Sequence, residues 1–157
     1  NIISIEYSAF GECSSLESVT IPKSVTNIEN SAFYYCTKLA DITIPNSVTS
    51  IGSRAFYNCT NLKNITIPDS ITTIKSEMFE NCSSLESITI PGSVTSIEYE
   101  AFYGCSSLAS ITIKNPSCVI YNSSNTISST ATIYGYANST AQTYAEKYGR
   151  TFVEITE

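Results

Sequence analysis

Apolar and polar residues alternate in five short stretches: Val19-Thr20-Ile21, Ile42-Thr43-Ile44, Ile65-Thr66-Ile67, Ile88-Thr89-Ile90 and Ile111-Thr112-Ile113. A period of two is the pattern of a strand with one buried face. Pro22, Pro45, Pro68 and Pro91 follow four of these stretches. Proline has no N–H to give to a ladder, so it closes each predicted strand. A second apolar run comes next: Val25 with Ile28, Val48 with Ile51, Ile71 with Ile74, Val94 with Ile97. It predicts a short extended segment on the opposite side of a coil. The A-F-x-x-C stretch beyond it is apolar at i, i+1 and i+4, and that spacing predicts one helical or 3₁₀ turn.

These elements keep phase. Phe10, Phe33, Phe56, Phe79 and Phe102 are spaced 23 residues apart, as are Leu16, Leu39, Leu62, Leu85 and Leu108. Cys13, Cys36, Cys59, Cys82 and Cys105 follow the same step without an insertion. A 23-residue unit cannot bury its own apolar face, whereas stacked units can, so the pattern predicts a solenoid. The expected organisation is five units over residues 1–113, the first truncated, then a degenerate last coil and a cap over 114–157.

The spacing Leu16-x-x-Val19-x-Ile21-x-x-Ser24 matches L-x-x-L-x-L-x-x-N with Ser in the Asn place. In this respect the chain resembles a leucine-rich repeat. Its S-V-T-x-I and A-F-x-x-C segments resemble the BspA-like class of bacterial and protist surface proteins. The resemblance implies an α/β-type repeat solenoid, right-handed, with a parallel sheet on the concave face and short strands and one-turn helices elsewhere. It also implies adhesion to host protein, matrix or other cells. A Ser hydroxyl can replace the Asn amide as a link to the backbone of adjacent coils.

The two ends differ. Asn1 to Ile5 correspond to Ser24 to Ile28, so the first unit starts in mid-repeat without a cap, and a longer parent chain is expected. At the other end Lys114 replaces the ladder proline and residues 115–133 turn Ser/Thr/Asn-rich. Ser139-Thr140-Ala141-Gln142 is a capping-box sequence, Ala141, Tyr144, Ala145 and Tyr148 form an apolar helix face, and Gly149 suits the position after the helix. Phe152 to Ile155 reads as a final strand.

Composition narrows the function. The 157 residues carry 14% charged side chains, a net charge of −6 and no His. An acidic, Lys/Arg-poor chain is a poor nucleic-acid binder. Without His the commonest general base and metal ligand is missing. No apolar run reaches the ~18 residues of a membrane helix, so no membrane insertion is expected. No Ser/His/Asp, Cys/His or phosphate-loop arrangement occurs, and solvated surface acids are the default for Glu98 with Glu100 or Glu77 with Glu80. The expectation is no enzyme, no cofactor and no metal.

Three sets of side chains are candidates. The Cys ladder reads as free, buried thiols serving as small core residues, because stacked Cβ vectors run parallel rather than facing. A disulfide is the alternative, and Cys118 reaches Cys105 only if the last coil bends that way. The outward strand positions form a small, polar wall that includes Asp41, Asn64, Thr43, Thr66 and Thr89. A Thr column is an ordinary strand choice, and a weak multivalent contact surface is the other reading. Tyr34, Tyr57 and Tyr103 follow the core Phe, with Gly11 and Glu80 in the same column. They serve either ligand contact or shielding between coils. N-x-S/T sequons begin at Asn58, Asn64, Asn81, Asn122 and Asn138.

The leading functional expectation is a non-catalytic protein- or glycan-binding module of a secreted or cell-surface protein, with an unidentified ligand. A structural spacer, or an accessory domain of a secreted enzyme, are the alternatives.

Overall fold

The computed structural model describes residues 2–156. Asn1, the expected start of the truncated first unit, and Glu157, at the end of the expected cap, lie outside the described residues. The chain winds as a parallel solenoid with three sides. The first wall holds β2 (Ser18–Thr20), β4 (Asp41–Thr43), β7 (Ser87–Ile90) and β9 (Ser110–Ile113), from four of the five alternating stretches, and β11 (Thr132–Gly135) beyond them; the strand expected over residues 65–67 does not form. The second wall holds two-residue strands: β1 (Ser4–Ile5), β3 (Asn27–Ile28), β5 (Ser50–Ile51), β6 (Thr73–Ile74), β8 (Ser96–Ile97) and β10 (Val119–Ile120). All pairings are parallel, and registers such as Ile42 opposite Val19 and Ile28 opposite Ile5 put equivalent residues side by side.

The third side corrects the expectation of a helical turn at A-F-x-x-C. Among the described residues the only helix is the C-terminal one. The segment is instead a run of β-turns whose amides alternate in destination. The N–H of Ala32 donates to Glu29 O and that of Tyr34 to Ser31 O, within the coil, while those of Ser31, Phe33 and Tyr35 donate to Ser53, Ala55 and Tyr57 of the next. Two residues per unit sit at positive φ, for example Ser31 (59°) and Tyr35 (56°), which breaks helical geometry. Asn58 and Asn81 occupy this second position, and Asn tolerates the left-handed region better than most residues. The reason for the difference is cooperative. A turn that turns half its amides outward can be bonded by its neighbours, whereas a helical turn would close on itself.

The core runs the length of the stack. Leu39, Ile42, Ile44, Val48, Ile51, Ala55, Phe56 and Cys59 of one unit are all buried, as are their equivalents in the next two units, with Ile71 and Met78 in two of the places. Phe10, Phe33, Phe56, Phe79 and Phe102 stack in one column, with centroids 5.2–5.5 Å apart and planes within 10°. Full burial of a side chain of this size contributes about 1.5–3 kcal/mol, nearly all of it through neighbouring coils. The Ser in the Asn place bridges coils as anticipated at three positions: Ser24, Ser70 and Ser93 donate to the carbonyls of Ile2, Val48 and Ile71. Ser47 Oγ is buried without a partner.

The C-terminal end is closed. Helix α1 (Thr140–Lys147) buries Ala141, Tyr144 and Ala145, and β12 (Phe152–Glu154) pairs with β11. Ser139 accepts from the Gln142 amide, but Gln142 Oε1 reaches the amide of Asn138, one residue before the cap, so the box is offset by one. Gly149, at φ 64°, completes the exit, with Arg150 N–H donating to Ala145 O. Tyr144 OH donates to Ser123 O and accepts from Ile127 N–H, tying the irregular last coil to the helix.

Candidate functional site

The cysteines belong to the interior. All six are free; Cys36, Cys59, Cys82, Cys105 and Cys118 are buried, and Cys13 is exposed. The expectation of five buried thiols in the ladder is thus corrected at Cys13, which is exposed. Each buried ladder thiol donates to the carbonyl of a Phe in the preceding unit, Cys59 Sγ to Phe33 O at 3.2 Å and Cys82 Sγ to Phe56 O at 3.1 Å. The same carbonyls already accept from the amides of Cys36 and Cys59 within their own turns. The thiol therefore uses the second lone pair of the Phe carbonyl. This coupling between coils was not visible in the spacing, because it depends on which way the Phe carbonyl points. Burial pushes Cys36 and Cys118 up to about 11 and Cys105 to about 12, and Cys59 and Cys82 well above their ordinary value. These thiols are inert at neutral pH.

The first wall places Asp41, Thr43, Asn64, Thr66 and Thr89 on the exposed face. Asn64, Thr66 and Thr89, with Asp69 and Lys114, line a hollow of about 410 Å³. Its backbone is unusual: residues 64–67 form no strand, although Ile65 and Ile67 are buried like their equivalents.

The tyrosines sit on the turn side. Tyr34 and Tyr57 are half-buried and stacked, with centroids 5.2 Å apart and planes 20° apart. Tyr35, at a positive-φ turn position, leans in at 4.5 Å from Tyr34 and 5.7 Å from Tyr57. Arg54 lies 6.0 Å from the Tyr57 centroid and is held by Glu77 through two bonds, Nε to Oε2 at 2.7 Å and Nη2 to Oε1 at 3.0 Å. Arg54 was not among the expected site residues. A one-repeat displacement pairs Arg54 with Glu77, so a search of the repeat columns for opposite charges was the available signal. Burial raises the pKa of Tyr34 and Tyr57, followed by repulsion from Tyr35 and from Glu80 respectively, so both rings stay neutral.

Tyr103 does not join this group. Glu80 takes the column position between Tyr57 and Tyr103, and Tyr103 is 44% exposed. Glu80 is buried, with Oε2 unpartnered. Desolvation, then the nearby Glu77 and Glu100, push its carboxyl up to about 7. The tyrosine column is therefore a cluster of three aromatic rings at Tyr34, Tyr35 and Tyr57, separated from Tyr103 by a buried carboxyl.

A solenoid of parallel coils with an isoleucine-lined strand side, a Phe–Cys turn side and polar outer faces is a repeat scaffold. Residues 3–133 match the model of the BspA type leucine-rich repeat region in six copies. The chain belongs to that family. Among curated proteins none matches it. Among solved structures it is similar to a leucine-rich cell surface protein of Faecalibacterium prausnitzii at 36% identity, over 68% of this chain and 32% of that one, with a TM-score of 0.61. This chain thus spans about a third of that protein's length. It is similar to the leucine-rich repeat protein of T. pallidum at 25% identity, over 97% and 79% of the two chains, with a TM-score of 0.67. The pneumococcal vaccine antigen PcpA shares the fold at 17% identity, over 98% and 44% of the chains, with a TM-score of 0.59.

Proposed function

We propose that the chain is a non-catalytic protein- or glycan-binding module of a bacterial surface protein, and that it contacts its ligand through the turn side. The observation that carries the reading is the Tyr34–Tyr35–Tyr57 cluster with Arg54 braced beside it. Tyr and Arg are the side chains that dominate binding energy in interfaces, and here they are held in place before a ligand arrives. The first wall presents small polar groups without an aromatic or Arg anchor among Asp41, Thr43, Asn64, Thr66 and Thr89. A surface location is supported by the similar F. prausnitzii protein, which is described as a cell surface protein. No helix among the described residues is long and apolar enough to cross a membrane. Adhesion is the role we assign to this cluster at a cell exterior, where copies carried on many surface molecules add weak contacts by avidity.

The test compares two variants on an array of extracellular-matrix proteins. Replacing Tyr34, Tyr35 and Tyr57 by Ala is expected to lower saturable binding at least tenfold. Replacing Thr43, Thr66 and Thr89 by Ala is expected to leave it within twofold. The reverse order moves the site to the first wall, and no binding by the native module favours a spacer.

A further inference from the structure

We infer that the vacant place above Tyr34 is a binding slot for one pyranose ring of a neutral glycan; the inference rests on the turn-side reading above and gives it a ligand class. The column that stacks Tyr57 on Tyr34 continues in the first coil with Gly11, which has no side chain. Tyr57 stacks on Tyr34 from the next coil, Tyr35 leans on it at 4.5 Å, and Gly11 sets no side chain against it from the first coil. At this place lies a hollow of about 350 Å³ lined by Gly11 and Tyr34 together with Tyr7, Ser8, Glu12, Ser31 and Arg54. A second hollow of about 430 Å³ continues on the other flank of Tyr34, past Glu12 to Ser14, Tyr35 and Thr37. Each is within the size range of small-ligand sites, about 300–1,000 Å³.

The chemistry of the walls selects the occupant. An aromatic face carries negative charge density, which attracts the weakly positive C–H groups on the flat side of a sugar ring. Hydroxyls at the ring edge need fixed donors and acceptors around them. Glu12 supplies acceptors, Ser8 and Ser31 supply both functions, and Arg54 retains Nη1 after its two bonds to Glu77. A hydrophobic side chain would leave those groups desolvated without partners. An acidic sugar would meet Glu12 and a chain of net charge −6, while the only guanidinium nearby is already paired with a carboxylate. A neutral ring with equatorial substituents, as in β-linked glucose or N-acetylglucosamine units, satisfies both conditions. The two adjoining hollows give room for consecutive sugars on either side of the Tyr34 edge.

Gly11 is not required by the backbone. It lacks a positive φ, and an added Cβ would come 3.2 Å from both Ser8 Cβ and Ser8 O, so the Ser8 turn, backbone included, has to give slightly to admit it. Gly11→Tyr therefore extends the ring column into the slot. The experiment titrates cellohexaose and chitohexaose into the whole chain by calorimetry and amide NMR. Saturable, millimolar-range binding of at least one of them is expected, with shifts centred on Tyr34 and Glu12. Gly11→Tyr and Tyr34→Ala are each expected to weaken it more than tenfold, with unfolding curves confirming that the variants remain folded. Tyr103→Ala is the distant control and is expected to leave it within twofold. Absence of binding to both sugars at about 10 mM overturns the proposal, as does binding that survives Gly11→Tyr in a folded variant. If both sugars fail while matrix-protein binding still falls on loss of Tyr34, Tyr35 and Tyr57, the slot belongs to a protein ligand and only the glycan inference is lost. If matrix-protein binding is indifferent to those tyrosines, the turn-side reading itself is lost whatever the sugars do.

Discussion

From the first coil to Tyr103 the turn side is bonded coil to coil without a gap, whereas both strand walls are interrupted at the third I-T-I unit. On the turn side the amides of Arg54, Phe56 and Asn58 reach Ser76, Met78 and Glu80, and those of Glu77, Phe79 and Asn81 reach Tyr99, Ala101 and Tyr103. On the first wall β4 and β7 fall in separate sheets, with residues 64–67 unpaired between them. On the second wall β5 and β6 are likewise in separate sheets. The strand sequence is not the cause, since Ile65-Thr66-Ile67 is the same as Ile88-Thr89-Ile90, which pairs. The coil behind it differs in volume. Ile71 stands where Val25, Val48 and Val94 stand, and Met78 where Ala32, Ala55 and Ala101 stand, all fully or almost fully buried. Extra volume in a packed interior is accommodated by moving backbone. The walls, held by short ladders, yield; the turn side, held by stacked Phe rings, thiol bonds and alternating amides, does not.

The largest test of that contrast is Phe56→Ala, which removes the middle ring of the column. It is expected to destabilise by about 3–5 kcal/mol in chemical denaturation. A loss below ~1 kcal/mol would show that the column is not what holds the coils in phase. Next is Cys82→Ala, which deletes a thiol bond to Phe56 O and leaves a small void, at an expected ~1–2 kcal/mol. Cys13→Ala, at an exposed thiol, is expected to change stability by less than ~0.5 kcal/mol. In the same vein, a thiol reagent is expected to label Cys13 alone in the native protein and all six cysteines after denaturation.

Glu80 gives a pH signature to the turn side. Its carboxyl is raised from an ordinary 4.5 to about 7, so folding favours the neutral form. Its stabilising contribution is complete below about pH 4.5 and is lost as pH rises through about 7. Glu80→Gln is expected to raise Tm at pH 8 by on the order of 2–4 °C and to change it little at pH 4. An equal effect at both pH values would mean that the carboxyl is solvated in the folded state. The smallest effect is the most specific to the walls. Met78→Ala with Ile71→Val returns the third coil to the regular volume, and hydrogen exchange at Ile65 and Ile67 is expected to slow as the ladder closes. Unchanged exchange would remove volume as the explanation of the gap.

The repeat period, the wall strands other than that over residues 65–67, the Phe column and the end helix were legible because each follows from a residue pattern with a fixed period. Ala141, Tyr144 and Ala145 bury as their spacing requires, and Gly149 ends the helix where a left-handed residue is needed. The A-F-x-x-C turn reads as helical in the sequence because apolar spacing at i, i+1 and i+4 fits both a helix and a chain of β-turns. What separates them is the next coil, which takes every second amide. The candidate site was legible only in part. Tyr34 and Tyr57 were visible as column members, but the partition of Tyr103 from them by a buried Glu80, and the bracing of Arg54 by Glu77, appear only once coils lie in register.

The sequence by itself determined that the chain stacks: a 23-residue unit with a single apolar face leaves no other way to bury it. Only the tertiary structure decided where the stack is tight and where it opens. Identical I-T-I segments pair in one coil and not in another, and an unremarkable Gly11 becomes a vacancy beside an aromatic ring. Both outcomes depend on volumes contributed by residues from different coils, and a linear pattern records each residue without its neighbour above.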